Sequence, residues 1–481
     1  MLFNSVQFVA FFAVVCGVHF ATPRRWRWVP MLVASYAFYM AWRLEYGALI
    51  LISTAIDYGV GRALPSATSH GRRRVLLAMS LVGNLGLLFG FKYLDFTLTN
   101  LNSLGQLVGL SPQFPTFNVL LPVGVSFYTF QSLSYTFDVY RGVQTPERHF
   151  GRFAVFVAFF PQLIAGPIER SGALLPQLEA PGRVRMGDLR VGCQLMLWGA
   201  FKKIVIADHA GVVVSTVYDQ PALYPAGVVG FAVVLFAVQL YTDFSGYCDI
   251  AVGVARLMGI RLSTNFRRPF FARSVADYWR RRHITLGRWF RDYVYFPLGG
   301  SRAGQLQTAV NISAVFLLSG LWHGASWTFV LWGGLNALAL ITERALSPHL
   351  HTVYHSLYRP FRWCGLIVKH LLMFAFLWLT LVFFRAESVA QASAIFAQLF
   401  APEQMDWWFL AALGLKPGSL AVLLVAILTL FAVEWVQEFE PRPVWRLWSR
   451  RWIRWVAYLC VIYTIALFGF FGRAQFIYFQ F

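Results

Sequence analysis

The sequence predicts an all-α, polytopic membrane protein, and three observations carry that reading. Hydrophobic residues make up 58% of the 481 residues and charged ones only 13%, against about 25% charged in a typical soluble domain. Apolar runs of about 17 to 20 residues recur along the whole chain, each long enough to cross a hydrocarbon core of roughly 30 Å as a helix. The alternating segments of about ten residues that would mark a transmembrane barrel are absent. Length alone would fit two or three soluble domains at about 150 residues each. Composition overrides it, and residues 1–481 read as one integral-membrane domain.

The first run, 5–21, is not a secretory leader by pattern, because MLFNS carries no charged side chain ahead of it. Positive charge follows it instead, at Arg24, Arg25 and Arg27. That bias predicts an uncleaved first helix with its N-terminus outside and the arginines on the cytoplasmic side. Further spanning candidates follow at 29–42, 46–61, 75–92, 119–137, 151–168, 190–206 and 222–241. After them come 305–320, 325–342, 364–383, 418–435 and 455–472. Several are short for a simple crossing, and about eleven spans are expected. The stretch DIAVGVARLMGI (249–260) would be only about 18 Å long as a helix. It therefore reads as a re-entrant or half-crossing element, tolerated where protein or a wet cavity surrounds it. No internal repeat is visible, so the paired halves of many transporters have no support. Gly86 and Gly90 form a GxxxG pair, ordinary helix-packing chemistry.

The net charge is +20, from 41 Lys+Arg against 21 Asp+Glu. In a soluble protein this would suggest nucleic acid. Here the arginines fall in short connections between apolar runs, where membrane lipids with anionic headgroups are sufficient partners, and no nucleic acid is expected. One connection stands apart: residues 261–302 hold ten arginines, Asp277, Asp292 and many aromatics. That mixture reads as interfacial amphipathic helices leading into a functional region, with aromatic rings at headgroup level and arginines towards water. A basic loop that only fixes topology is the plainer alternative. The five cysteines (Cys16, Cys193, Cys248, Cys364, Cys460) are scattered and lack C-x-x-C spacing. They suggest neither a disulfide framework nor a metal site.

Of ten histidines, His70, His149, His349, His351 and His355 sit in polar connections. His19, His209 and His370 lie near the ends of apolar runs, where packing is the simpler role. His283 follows three arginines, Arg280 to Arg282. His323 is different, because SGLWHGASW (319–327) places it between two apolar runs with only Ser319, Ser326, Thr328 and glycines for polar relief. An ionisable group inside a span is costly and marks function by default. A buried neutral imidazole beside small residues suits a general base acting on a hydroxyl, or a nucleophile that briefly carries an acyl group. A structural histidine bonded to a carbonyl is the alternative. A metal is disfavoured, since i+3 and i+4 are Ser326 and Trp327. No G-x-S-x-G elbow, P-loop or GxGxxG motif competes.

These residues sit in stretches that resemble the membrane-bound O-acyltransferases, in the bacterial branch of the alginate O-acetylation membrane protein. The stretches are LPVGVSFYTFQSLSYTFDVYRG (121–142), FFPQLIAGPIER (159–170) and YTDFSGYCDIAVGVARLMGI (241–260). They continue with NFRRPFFARSVADYWRRRHITLGRWFRDYVYFPLGG (265–300), SGLWHGASWTFVLWGG (319–334) and the closing FIYFQF (476–481). The resemblance runs almost end to end. It maps the family's catalytic histidine onto His323 and its second polar position onto His283. The branch usually has Trp before that second histidine, whereas this chain has Arg282.

What the resemblance implies is a helical fold with a narrow waist, where acyl transfer from a thioester to a hydroxyl takes place. His323 would accept the hydroxyl proton and His283 would orient the donor. Trp322, Asp243, Ser245, Tyr247 and Gln162 become candidates for lining the substrate path, with helix–helix hydrogen bonding the plainer role. Arg280, Arg281 and Arg282 become candidates for holding an anionic donor such as acetyl-CoA or an acyl carrier. The resemblance implies no bound cofactor or metal, a bacterial inner-membrane location and a periplasmic acetyltransferase partner that passes acetyl to an exported polysaccharide or cell-wall glycan. D-alanyl transfer to teichoic acids is the rival within the class. A transporter, or a scaffold for periplasmic enzymes, is the rival outside it.

Overall fold

The computed structural model describes residues 1, 3–110, 113–117, 119–302, 304–356, 359–402, 413–440, 449–471 and 476–479. The side chains of His349, His351 and His355 lie outside the described residues, as do residues 480 and 481 of the closing motif. Among the described residues the regular structure is helical, with no strand.

Seven described helices are long and apolar enough to span a membrane: Glu45–Ser66, His70–Leu107, Ala226–Leu257, Trp327–Ser347, Ile367–Arg385, Pro417–Phe439 and Arg451–Phe468. Shorter apolar helices cover Val6–Ala21, Phe150–Leu163 and Val389–Leu399. The boundaries differ from the sequence expectation for local reasons. The candidate at 75–92 lies inside one long helix that passes through a π-turn at Phe89–Tyr93. The candidate at 119–137 becomes helical only at Val125, after Gly124 takes a left-handed φ of 79°. There an added Cβ would lie 2.8 Å from the Leu163 carbonyl oxygen, so the position needs glycine twice over. Residues 249–257, read from the sequence as a half-crossing element, instead continue the 32-residue helix Ala226–Leu257. The polar residues at its middle are satisfied within the helix or by neighbours, beginning with Thr242, whose hydroxyl donates to the Val238 carbonyl at 2.8 Å.

The chain divides into two compact units, Met1–Met196 with Cys248–Thr264, and Leu197–Tyr247 with Asn265–Phe481. In the first, a fully buried Asp57 is the acceptor for Ser80, Thr136 and Asn84 on neighbouring helices. In the second, the core packs Val213, Val217, Ala232, Phe236, Trp332, Phe384, Leu423 and Leu430. A tight helical hairpin, Gln305–His323 and Trp327 onward, is set into this second unit. Its two helices cross backbone to backbone at Gly320 and Gly333. A Cβ added to either would run into a carbonyl oxygen of the opposite helix, that of Phe329 or that of Phe316. Small residues permit that approach where lipid offers no hydrophobic drive. The hairpin tip presents His323.

The basic segment folds as short pieces: Pro269–Phe271, Val275–Arg281, Ile284–Phe290 and a π-turn at Arg291–Tyr295. Its aromatic residues Tyr278, Trp289 and Phe290 are buried, along with Arg282 and His283. The turn that follows, at 297–302, is held by Asn311, whose amide donates to the carbonyls of Leu298 (3.1 Å) and Gly300 (2.9 Å).

Candidate active site

His323 is the last residue of the helix Gln305–His323 and is buried. Rings surround it: Trp322 at 4.9 Å between centroids, Phe384 at 5.1 Å, Trp332 at 5.2 Å and Tyr478 at 5.6 Å. His283, 40 positions earlier in the chain, brings its ring to 6.4 Å from that of His323 and 5.8 Å from Trp322. The two imidazoles singled out in the sequence thus share one site.

His283 is held in an uncommon way. It has φ of 47°, in the left-handed region, and caps the helix Ile284–Phe290. Histidine tolerates this region better than most non-glycine residues, yet it needs support. Asn265 supplies much of it. Its carbonyl accepts the Ile284 N–H at 2.9 Å, and its side-chain Oδ1 accepts Thr285 N–H (3.1 Å) and Thr285 Oγ1–H (2.9 Å). The same Oδ1 faces His283 Nδ1 at 3.3 Å. The Thr285 N–H fixes the amide with its oxygen inward, so His283 Nδ1 must be the donor and carry hydrogen. Burial, seconded by the Arg282 charge, holds the His283 pKa well below the usual 6.5. The ring is therefore the neutral Nδ1–H tautomer, with a lone pair on Nε2.

Both histidines line a cavity of about 540 Å³. Its wall includes Ser319, Trp332 and Tyr478, four arginines (Arg280, Arg282, Arg288, Arg291) and no carboxylate. An adjoining space of about 470 Å³ shares Ala276, Gly287, Arg291 and Phe316 with it and adds Glu343 and Arg344. Glu343 is already committed, accepting the N–H groups of Val275 (2.6 Å) and Ala276 (3.2 Å). Arg291 is ion-paired with Asp292 at 2.8 Å, and with Arg280, Arg282 and Arg288 the lining remains net basic, suited to an anionic ligand.

The other sequence candidates divide. Arg280 and Arg282 line the cavity, with Arg282 donating to Tyr278 Oη at 2.8 Å. Arg281 does not line it: it is ion-paired with Asp277 (3.0 Å) and Glu438 (2.9 Å). Trp322 packs against both histidines, forming a triangle of rings with them. Tyr247 packs at a tilt against Phe476, 5.1 Å between centroids. Ser245 accepts from Lys202 at 2.9 Å. Asp243 accepts Lys203 on one oxygen (2.8 Å) and the Ile477 N–H on the other (2.8 Å). Gln162 lies in the first unit and donates to the Phe156 carbonyl. Sequence reasoning missed Asn265, Arg288, Arg291, Trp332, Phe384 and Lys203. Asn265 had no signal beyond lying in the basic segment. Tyr478 lies in FIYFQF, where no local pattern sets it apart from its aromatic neighbours.

A profile for the membrane-bound O-acyltransferase family matches residues 148–385, a span that contains both His283 and His323. "Probable alginate O-acetylase AlgI" of Azotobacter vinelandii is 35% identical over 455 residues, covering 92% of this chain and 87% of that protein. "Peptidoglycan O-acetyltransferase" of Helicobacter pylori is 33% identical over 396 residues, covering 77% and 72%. "Teichoic acid D-alanyltransferase" of Bacillus subtilis is 27% identical over 242 residues, covering 48% and 60%.

Proposed function

The chain belongs to the membrane-bound O-acyltransferase family, and from that premise we propose that it moves an acetyl group from a cytoplasmic thioester to an acceptor on the outer side of the bacterial inner membrane. Membership makes it an O-acyltransferase, which sets aside the transporter and scaffold readings. The observation that carries the finer reading is the pairing of His283 and His323 at one arginine-lined cavity. Acetyl is preferred to D-alanyl because the acetylating relatives match over most of the chain, and the D-alanyl relative over about half.

The thioester is reactive already, so the site has to position two reactants and move one proton. His323 takes the proton of the acceptor hydroxyl as its oxygen attacks the thioester carbonyl. The C–S bond breaks, the thiolate leaves towards the donor side and takes up a proton there. His283 orients the donor beside that carbonyl, and Arg280, Arg282 and Arg288 attract its phosphates. The donor is acetyl-CoA or an acyl carrier. A periplasmic partner passes the acetyl group to an exported polysaccharide or a cell-wall glycan, the acceptor classes in the names of the relatives. Arg24, Arg25 and Arg27 behind the first helix put the N-terminus outside.

The test is reconstitution in sealed liposomes with labelled acetyl-CoA on one side and a hydroxyl acceptor on the other. Label should reach the acceptor with the wild-type protein and not with His323→Ala. Transfer by His323→Ala at the wild-type rate would overturn the assignment. Label delivered only from a D-alanyl carrier would move the reading to the rival.

A further inference from the structure

After the helix Arg451–Phe468 two backbone N–H groups donate to earlier elements of the same second unit. Phe470 N–H donates to the Ile204 carbonyl at 3.1 Å, and Ile477 N–H donates to Asp243 at 2.8 Å. Ile204 sits in the π-turn Phe201–Ala207, where the altered ladder makes a carbonyl available to an outside donor. Asp243 sits inside a membrane-crossing helix, an expensive place for a carboxylate. Its two oxygens serve different partners. Oδ1 meets Lys203 Nζ at 2.8 Å, and Oδ2 holds the Ile477 N–H. Lys203 is shared with Asp208 at 2.7 Å.

The segment so held forms a wall of the cavity. Phe476 and Ile477 are buried. Tyr478 lies 4.6 Å from Phe244 and 5.6 Å from His323 by ring centroids, and it lines the cavity. An intramembrane carboxylate that only satisfied Lys203 would not need the tail, since Asp208 already pairs that lysine. We infer that Asp243, backed by Lys203, is a positioning residue that clamps the C-terminal segment so that Tyr478 closes the cavity beside His323. The inference rests on the function proposed above for that site.

Three variants of the protein test it, with acetyl-CoA turnover and trimming by a serine carboxypeptidase that also releases proline, read by intact mass. Asp243→Ala removes the clamp while Asp208 still pairs Lys203. Asp243→Asn keeps an oxygen able to accept the Ile477 N–H. Ile477→Pro removes only the donor, at the first position of a short helix, where proline is tolerated. Wild-type trimming should stop before Ile477. In Asp243→Ala and Ile477→Pro it should run past that residue, while kcat falls about 10- to 100-fold, the scale of a misplaced site, and KM for acetyl-CoA changes less than about twofold. Asp243→Asn should fall between. Lost kcat with the tail still protected, or a released tail with wild-type kcat, would each overturn the clamp. Should Asp243→Ala fail to fold, Ile477→Pro decides alone. If the wild type transfers nothing from acetyl-CoA, the proposed function fails, yet the trimming difference still tests the clamp.

Discussion

Each unit buries a titratable side chain, Asp57 in the first and His323 in the second, and the two differ in what they face. Around Asp57, Thr136 Oγ1 (3.0 Å) and Asn84 Nδ2 (2.9 Å) donate to the carboxylate together with Ser80, and Ser53 donates to Asn84 Oδ1 at 2.6 Å. The partners come from the helices Glu45–Ala63, His70–Leu88 and Val125–Tyr140, so the cluster ties three helices together. Around His323 the neighbours are instead aromatic rings and a cavity of about 540 Å³. A buried polar group whose partners are all protein is fold chemistry. One that is ringed by apolar walls and open on one side is site chemistry.

The sharpest way to break this contrast is to delete each polar group in turn. His323→Ala should lower acetyl transfer by about 10²- to 10⁴-fold, the usual share of a general base, with the thermal midpoint little changed. Asp57→Ala should do the reverse. It leaves three donors without their acceptor, at about 1–3 kcal/mol each in water and about 0.6 kcal/mol per bond in membrane averages. A lowered midpoint with wild-type turnover per folded molecule is expected. Equal activity losses in both variants would erase the distinction.

Next in size is the hairpin that aims His323. Gly333→Ala would push a Cβ into the Phe316 carbonyl oxygen, and backbone cannot yield cheaply. The tip should shift and kcat should fall by up to about 10²-fold, with KM for the donor nearly constant. Unchanged kcat would show that the tip is placed by the surrounding rings instead. Asn265→Ala is expected to cost less, about tenfold in kcat. It removes the acceptor for His283 Nδ1 and Thr285 and frees the tautomer. Asn265→Asp, with an acceptor oxygen retained, should recover part of the loss.

Much of this was legible in the sequence, and the limits have physical causes. His323 stood out because an imidazole inside an apolar run violates the cost of burial, whatever the fold. The pairing with His283 depends on how the hairpin docks, which no local pattern encodes. Asp243 was singled out as a path residue, yet its partner Ile477 lies 234 positions away. The helix Ala226–Leu257 was divided because DIAVGVARLMGI (249–260), taken alone, would be only about 18 Å long, whereas the structure joins it to the preceding span. Lys202 and Lys203 satisfy Asp243 and Ser245 and let the helix run on. Val389–Leu399 escaped notice because 11 residues are too few to span.

The smallest effect concerns the charge state of His283, and it separates the two clusters on a different axis. Burial and Arg282 hold its pKa well below 6.5 in the folded protein. As pH falls through about 6.5, the unfolded chain binds a proton at this ring that the folded chain refuses. Stability is therefore full above that pH and declines as pH drops towards the folded pKa, by at most about 1.4 kcal/mol per pH unit. His283→Gln binds no proton in either state, so between pH 7.5 and pH 5 its thermal midpoint should fall less than that of the wild type. Equal falls would mean that the folded protein protonates His283 as readily as the unfolded chain. Its Nε2 would then carry hydrogen at acid pH, and a neutral imidazole orienting the donor would no longer describe the site.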